Sequence, residues 1–122
     1  MMNKESKLID KYAPLAKKLL FKSAEKVTLI DLSGLNAEAE AFLLATANSD
    51  VHMRTLINVV EEALDEARTG YVVEGRDSSL WSLIDTGNLI VHIFSRKGRG
   101  FYRIESIWGD APMMEYEDQL DQ

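Results

Sequence analysis

Few side chains in this chain combine types and spacings that do chemistry. His92 lies in the apolar run 89–94, with Asp85 across a predicted hairpin and the hydroxyls of Ser49 and Ser95 elsewhere. A histidine, an orienting carboxylate and a serine are the parts of a nucleophilic triad. Neither serine stands in a Gly-x-Ser-x-Gly turn, the corner that exposes such a nucleophile. The simpler reading of His92 is a buried histidine with one or two hydrogen bonds. Cysteine is absent and the histidines are two, His52 and His92. Thiolate chemistry is excluded, and a histidine-rich metal site has little to draw on.

The segment Ala47-Asn48-Ser49-Asp50 opens a predicted helix after a predicted strand. Nucleotidyltransferases place a Gly-Ser at such a turn and two acids spaced Asp-x-Asp soon after. This turn has no glycine and no Asp-x-Asp follows, so paired carboxylates for a two-metal clamp are missing. The turn reads as a plain N-cap. No catalytic residue, metal or cofactor is expected.

Recognition chemistry is better represented. Trp81 sits at a loop–strand border near Glu74, Asp77 and Asp85. A tryptophan ringed by carboxylates is the make-up of an interface anchor for a basic partner, although core packing is an equal alternative. The run Arg96-Lys97-Gly98-Arg99 followed by Phe101-Tyr102 has the ingredients for stacking on RNA. Against that stands the charge distribution. The net charge of the chain is -6, with +4 in residues 1–26, -8 in 27–95, +3 in 96–109 and -5 in 110–122. An acidic middle repels phosphate and suits a basic protein. Direct, sequence-specific nucleic-acid binding is not expected.

These residues need elements to position them. With 122 residues, 46% apolar and 28% charged, the chain is long enough for one core and too short for two. Leu8, Tyr12, Leu15 and Leu19 form a helical stripe that Pro14 interrupts, so a secure helix is predicted from Pro14 to about Lys22. The runs 27–32 and 41–47 have strand length without alternation, which suggests strands covered on both faces. For 36–45, rich in helix formers, helix is the alternative. Met53, Leu56, Ile57, Val60, Leu64 and Ala67 predict a helix capped by Asn48-Ser49-Asp50 and closed by Gly70. Strands follow at 71–75, 80–85 and 89–94, the last two joined by Thr86-Gly87-Asn88 as a hairpin. In the second arm Leu89, Val91 and Ile93 face one way, and Ile90, His92 and Phe94 the other. A last helix is predicted with Phe101, Ile104, Ile107 and Trp108 on one side. The expected fold is α/β (α+β), a mixed sheet of about five strands with helices packed on its faces. Residues 1–112 form one domain, and 113–122 read as a flexible acidic tail. No run approaches the ~20 apolar residues of a membrane span and no signal peptide is evident, so the cytoplasm is the expected location.

The C-terminal half carries a more specific pattern. Val73-Glu74-Gly75, Trp81-Ser82-Leu83-Ile84-Asp85, Gly87, Ile90-Val91-His92-Ile93-Phe94, Arg99, Phe101-Tyr102, Ile104-Glu105 and Ile107-Trp108-Gly109-Asp110 follow one another without a gap. This block resembles the ribosomal silencing factor family, also called Iojap. Leu29-Ile30-Asp31-Leu32 and Asn48-Ser49-Asp50 extend the resemblance to roughly residues 15–112. It implies binding to the large ribosomal subunit at its fourteenth protein, a steric block to joining with the small subunit, and repression of translation. It also implies a homodimer and no catalysis. Trp81 would be the anchor and Glu74, Asp77 and Asp85 its charge partners, with His92, Arg99 and Tyr102 as further matched positions for partner binding. A nucleotidyltransferase-like enzyme and an RNA-binding adaptor are the alternatives. This chain departs from the family pattern at Glu40-Ala41-Phe42, at Ala47 and at Thr86-Gly87-Asn88.

Overall fold

The structure, a computed structural model, describes residues 4–117. Its centre is the run AFLLATA, strand β2 (Ala41–Ala47), in which every residue is buried. A strand without alternation must have both faces covered and a neighbour on each side. β2 pairs antiparallel with β1 (Glu25–Asp31) and parallel with β5 (Leu89–Ser95). The hairpin partner β4 (Trp81–Asp85), then β3 (Val72–Glu74), complete one side, and β6 (Met113–Glu115) the other. The order is β3-β4-β5-β2-β1-β6, six strands in a mixed sheet. Gly87, at φ 95, makes the hairpin turn as expected.

The pleat sorts the core into two clusters. Leu29, Leu43, Val91 and Ile93 face the helices α1 (Lys4–Phe21) and α2 (Asp50–Glu66). Ile30, Phe42, Leu44 and Phe94 face the other way, toward the short helices α3 (Arg96–Tyr102) and α4 (Ile104–Ile107). Leu89, Val91 and Ile93 lie opposite Ile90 and Phe94, as alternation requires.

Four expectations are corrected. First, α1 does not begin at Pro14 but runs through it. An interior proline costs about 3 kcal/mol. The segment before it is held from outside: Leu8 is buried and Ile9 and Tyr12 pack on the core. The Tyr12 hydroxyl donates to the Glu40 carboxylate, which also pairs with Lys11. The Tyr116 hydroxyl donates to the Ile9 carbonyl at 2.8 Å. These contacts together offset the proline. Second, α2 starts on the expected cap, with Ser49 accepting from the His52 amide, but ends at Ala67 rather than Gly70. Arg68 makes the left-handed reversal at φ 56. Leu64 is the last buried residue of the apolar stripe, so nothing holds a further turn.

Third, the predicted C-terminal helix is broken in two by Arg103, at φ 53. Ile104 is buried and Trp108 packs on the core, while Phe101 and Ile107 are exposed. Fourth, residues 113–115 of the expected tail form the sixth strand, antiparallel to β1. Met113 packs on one core cluster and Met114 and Tyr116 on the other. Apolar residues on both sides of a strand give it a reason to stay. The remainder of that tail, 118–122, lies outside the described residues. Among the described residues no helix is long and apolar enough to cross a membrane.

Candidate functional site

The two faces of the sheet are covered unequally. The long helices α1 and α2 cover one. On the other, α3 and α4 cover Phe94 and its neighbours and leave the β3–β4–β5 corner open. Strand register shows what occupies that corner. Asp85 pairs with Val72 and with Ile90, and Leu83 with Glu74 and with His92. All of these share the face of Trp81, because residues two apart on β4 point the same way. Val72 is 61% exposed, and Leu83, Asp85 and Ile90 are partly so. The corner is an apolar strip, Val72–Leu83–Ile90, with Glu74 and Asp85 along it. The Asp85 Oδ1 accepts from the Gly87 amide at 2.7 Å, which fixes the carboxylate to its turn.

Trp81 closes one end of the strip, half-buried, and its setting is built from small residues. Its ring lies 4.6 Å from Tyr102 and 5.5 Å from Phe94. The Ser78 hydroxyl accepts from the Leu80 and Trp81 amides. Gly75, at φ +70, brings the β3–β4 turn so near that a Cβ there would meet the Trp81 carbonyl at 2.8 Å. Ser82 donates its hydroxyl to the Gly75 carbonyl at 2.6 Å. Gly98 does the same for α3: a Cβ would lie 2.0 Å from the Leu80 carbonyl oxygen. Only glycine permits that approach, and it is what lets Tyr102 reach Trp81.

His92 lies beneath this cluster, 3% exposed. Its Nδ1 accepts from the Trp81 indole N–H at 3.0 Å. Burial first, and the charge of Arg99 second, push its imidazole down to about 4. It is therefore neutral near pH 7, with its proton on Nε2, which has no hydrogen-bond partner among the described residues. Arg99 is also buried and all its N–H donors are used within the chain. They go to Glu105 Oε2, the Lys26 carbonyl, Thr46 Oγ1 and Thr28 Oγ1. Arg99 is a clamp between α3, α4 and the sheet.

The structure thus brings together Glu74, Trp81 and Asp85 of the residues singled out from sequence, with Tyr102 as the support of Trp81. His92 and Arg99 lie under the face rather than on it, because their polar atoms are committed inside or sealed from solvent. Asp85 does not orient His92; the indole of Trp81 does. Asp77 is placed elsewhere, beside Asp50, Met53 and Arg54 at the start of α2. Val72, Leu83 and Ile90 were missed as surface. The signal was there in the parity they share with Trp81 across the hairpin.

A mixed six-stranded sheet, layered fully on one face and partly on the other around an aromatic cluster, defines an α+β domain of a known kind. The family described as ribosomal silencing factor during starvation matches residues 5–122. The ribosomal silencing factor RsfS of Bacillus subtilis strain 168 is 33% identical over 104 residues, covering 83% of this chain and 86% of that protein. The mitochondrial Iojap-related protein of Arabidopsis thaliana is 30% identical over 91 residues, covering 70% of this chain and 49% of that protein. A crystal structure from Chromobacterium violaceum superposes with a TM-score of 0.75 at 31% identity, covering 83% of this chain and 86% of that one. The chain belongs to the ribosomal silencing factor family, and its role lies in ribosome silencing.

Proposed function

We propose that the chain binds the large ribosomal subunit at its fourteenth protein through the open β3–β4–β5 corner, and by its bulk prevents the small subunit from joining. The observation that carries this reading is the uncovered strip Val72–Leu83–Ile90 beside Trp81. Exposed apolar surface bordered by carboxylates suits a partner with apolar and basic groups, and ribosomal proteins are basic. The net charge of -8 over residues 27–95 favours the encounter. Occlusion requires no catalytic group, cofactor or metal, and the setting is the cytoplasm. A homodimer formed through the same strip would compete with docking.

The test is co-sedimentation with separated large subunits, followed by subunit joining in a sucrose gradient. The chain should pellet with large subunits and reduce joined ribosomes. Trp81→Ala should weaken binding by about 2 kcal/mol, roughly 30-fold. Val72→Lys, at an exposed edge position, tests the strip without disturbing the aromatic cluster and should also weaken binding. A folded Val72→Lys protein that binds as tightly as the parent would remove the strip from the interface. Binding without loss of joining would remove the steric mechanism.

A further inference from the structure

The side of α3 turned away from Trp81 faces a different feature. A cavity of about 590 Å³ opens where β1 begins, β2 ends and α3 meets α4. Four cations line it, Lys26, Arg96, Arg99 and Arg103, against two carboxylates, Glu25 and Glu105. Two of the cations are neutralised in place: Arg96 pairs with Glu25 and Arg99 with Glu105. Lys26 acts through space on both Glu25 and Glu105, without a side-chain hydrogen bond or contact ion pair of its own among the described residues, and Arg103 likewise makes neither. In a chain of net charge -6 this is a local surplus of positive charge.

The backbone adds a second observation. Lys26 and Arg103 both lie in the left-handed region, at φ 48 and φ 53. Long side chains rarely adopt that conformation, and where they do the surrounding structure holds them in it. Here the Lys26 carbonyl is held by Arg99 at 3.0 Å, and the Arg103 carbonyl caps α4 by accepting from Ser106 at 3.0 Å. Two residues in left-handed backbone, far apart in sequence, thus set two cations without a contact ion pair on one cavity.

The lining also says what the cavity does not take. It has no aromatic or aliphatic wall; beyond the charged residues it offers Thr46, Gly100 and Ser106. It offers a nucleobase no aromatic ring to stack on, only guanidinium planes. Cations, two hydroxyls and glycine backbone are the chemistry of an oxyanion site. We infer that this cavity binds phosphate through Lys26 and Arg103, and that the phosphate is one of an RNA backbone. Such binding is weak, blind to sequence and sensitive to salt. It rests on the docking reading above and extends it to a second contact, at the end of the helix whose other side supports Trp81.

The test uses the full chain without ribosomes, titrated in NMR with inorganic pyrophosphate and with a short RNA hairpin, the latter at two salt concentrations. The amides of Lys26, Gly100, Arg103 and Ser106 should shift with both. The double variant Lys26→Asn, Arg103→Asn removes both charges while keeping a residue tolerant of left-handed backbone. It should bind the hairpin at least about tenfold more weakly and with a salt slope shallower by about 1 to 2. Shifts with pyrophosphate alone would overturn the RNA assignment and leave a site for free phosphate. No shift at these amides, or a double variant that binds RNA like the parent, would overturn the site itself. Because no ribosome is present, failure here leaves docking through Val72, Leu83 and Ile90 standing, and the reverse also holds.

Discussion

At the scale of the residue, His92 is the group whose environment has the clearest thermodynamic consequence. In the unfolded chain it titrates near 6.5; in the fold its imidazole is held at about 4. As pH falls from 6.5 toward 4, the unfolded state takes up a proton that the folded state refuses. Stability therefore declines over that window, by up to about 3 kcal/mol, and is unaffected by this group above it. The carboxyls of Glu25, Glu40, Glu61 and Glu105 sit below their usual value through hydrogen bonds from arginine, lysine or tyrosine. Their stabilisation is present above about 4.5 and is lost as pH falls below it, so most of the histidine's effect comes first and the two overlap only near pH 4 to 4.5. His92→Gln keeps an acceptor for the Trp81 indole and cannot titrate. Its stability, followed by urea unfolding from pH 7 to pH 4.5, should be flatter than the parent's by about 2 kcal/mol. Parallel curves would show that another group sets the acid sensitivity.

At the scale of the element, the decisive contact is that of α3 with the start of β4. Gly98→Ala would place a methyl carbon 2.0 Å from a backbone oxygen, which no rotamer change relieves. The helix must move, at a cost of about 2 kcal/mol or more, and Tyr102 must leave the Trp81 ring. Urea unfolding and the near-ultraviolet signal of Trp81 should both report it; an unchanged spectrum would show that α3 is not held by this approach. Nothing in the local sequence announces the contact, since Gly98 stands inside a basic run and meets Leu80 across two strands and a turn. The same limit explains Pro14 and Gly70. Their local preferences are real, but Tyr116, Glu40 and the end of the α2 apolar stripe decide the outcome, and these lie elsewhere in the chain or in the packing. By contrast β4 and β5 were legible, because a period of two and a Gly87 turn are local facts, whereas β2, apolar on both faces and rich in helix formers, was legible only by its length. The candidate site was legible in the same measure: Trp81, Glu74 and Asp85 follow from pattern, whereas the burial of His92 and Arg99 follows from what covers them.

At the scale of the whole molecule, the two edges of the sheet differ. β3 lies at one end beside the proposed docking corner, and β6 at the other. β6 is short, yet it ends the hydrogen-bonding ladder of β1 and ties distant parts of the chain together. The Asp31 amide donates to the Pro112 carbonyl and the Tyr116 amide to the Val27 carbonyl, at 2.9 and 2.8 Å. The Tyr116 hydroxyl reaches Ile9 in α1. Truncation after Glu117 keeps β6 whole and serves as the reference. Truncation after Pro112 removes Met113, Met114 and Tyr116 from the core and bares the edge of β1. The loss should reach at least about 3 kcal/mol, from apolar burial and hydrogen bonds together. An uncovered strand edge also pairs with other chains, so the shorter protein should sediment as larger species. Urea unfolding and sedimentation velocity on the two truncations read both effects. If the shorter chain is as stable and as monodisperse as the longer one, β6 is an appendage, and α1 must hold its place across Pro14 through Leu8, Tyr12 and Glu40 alone.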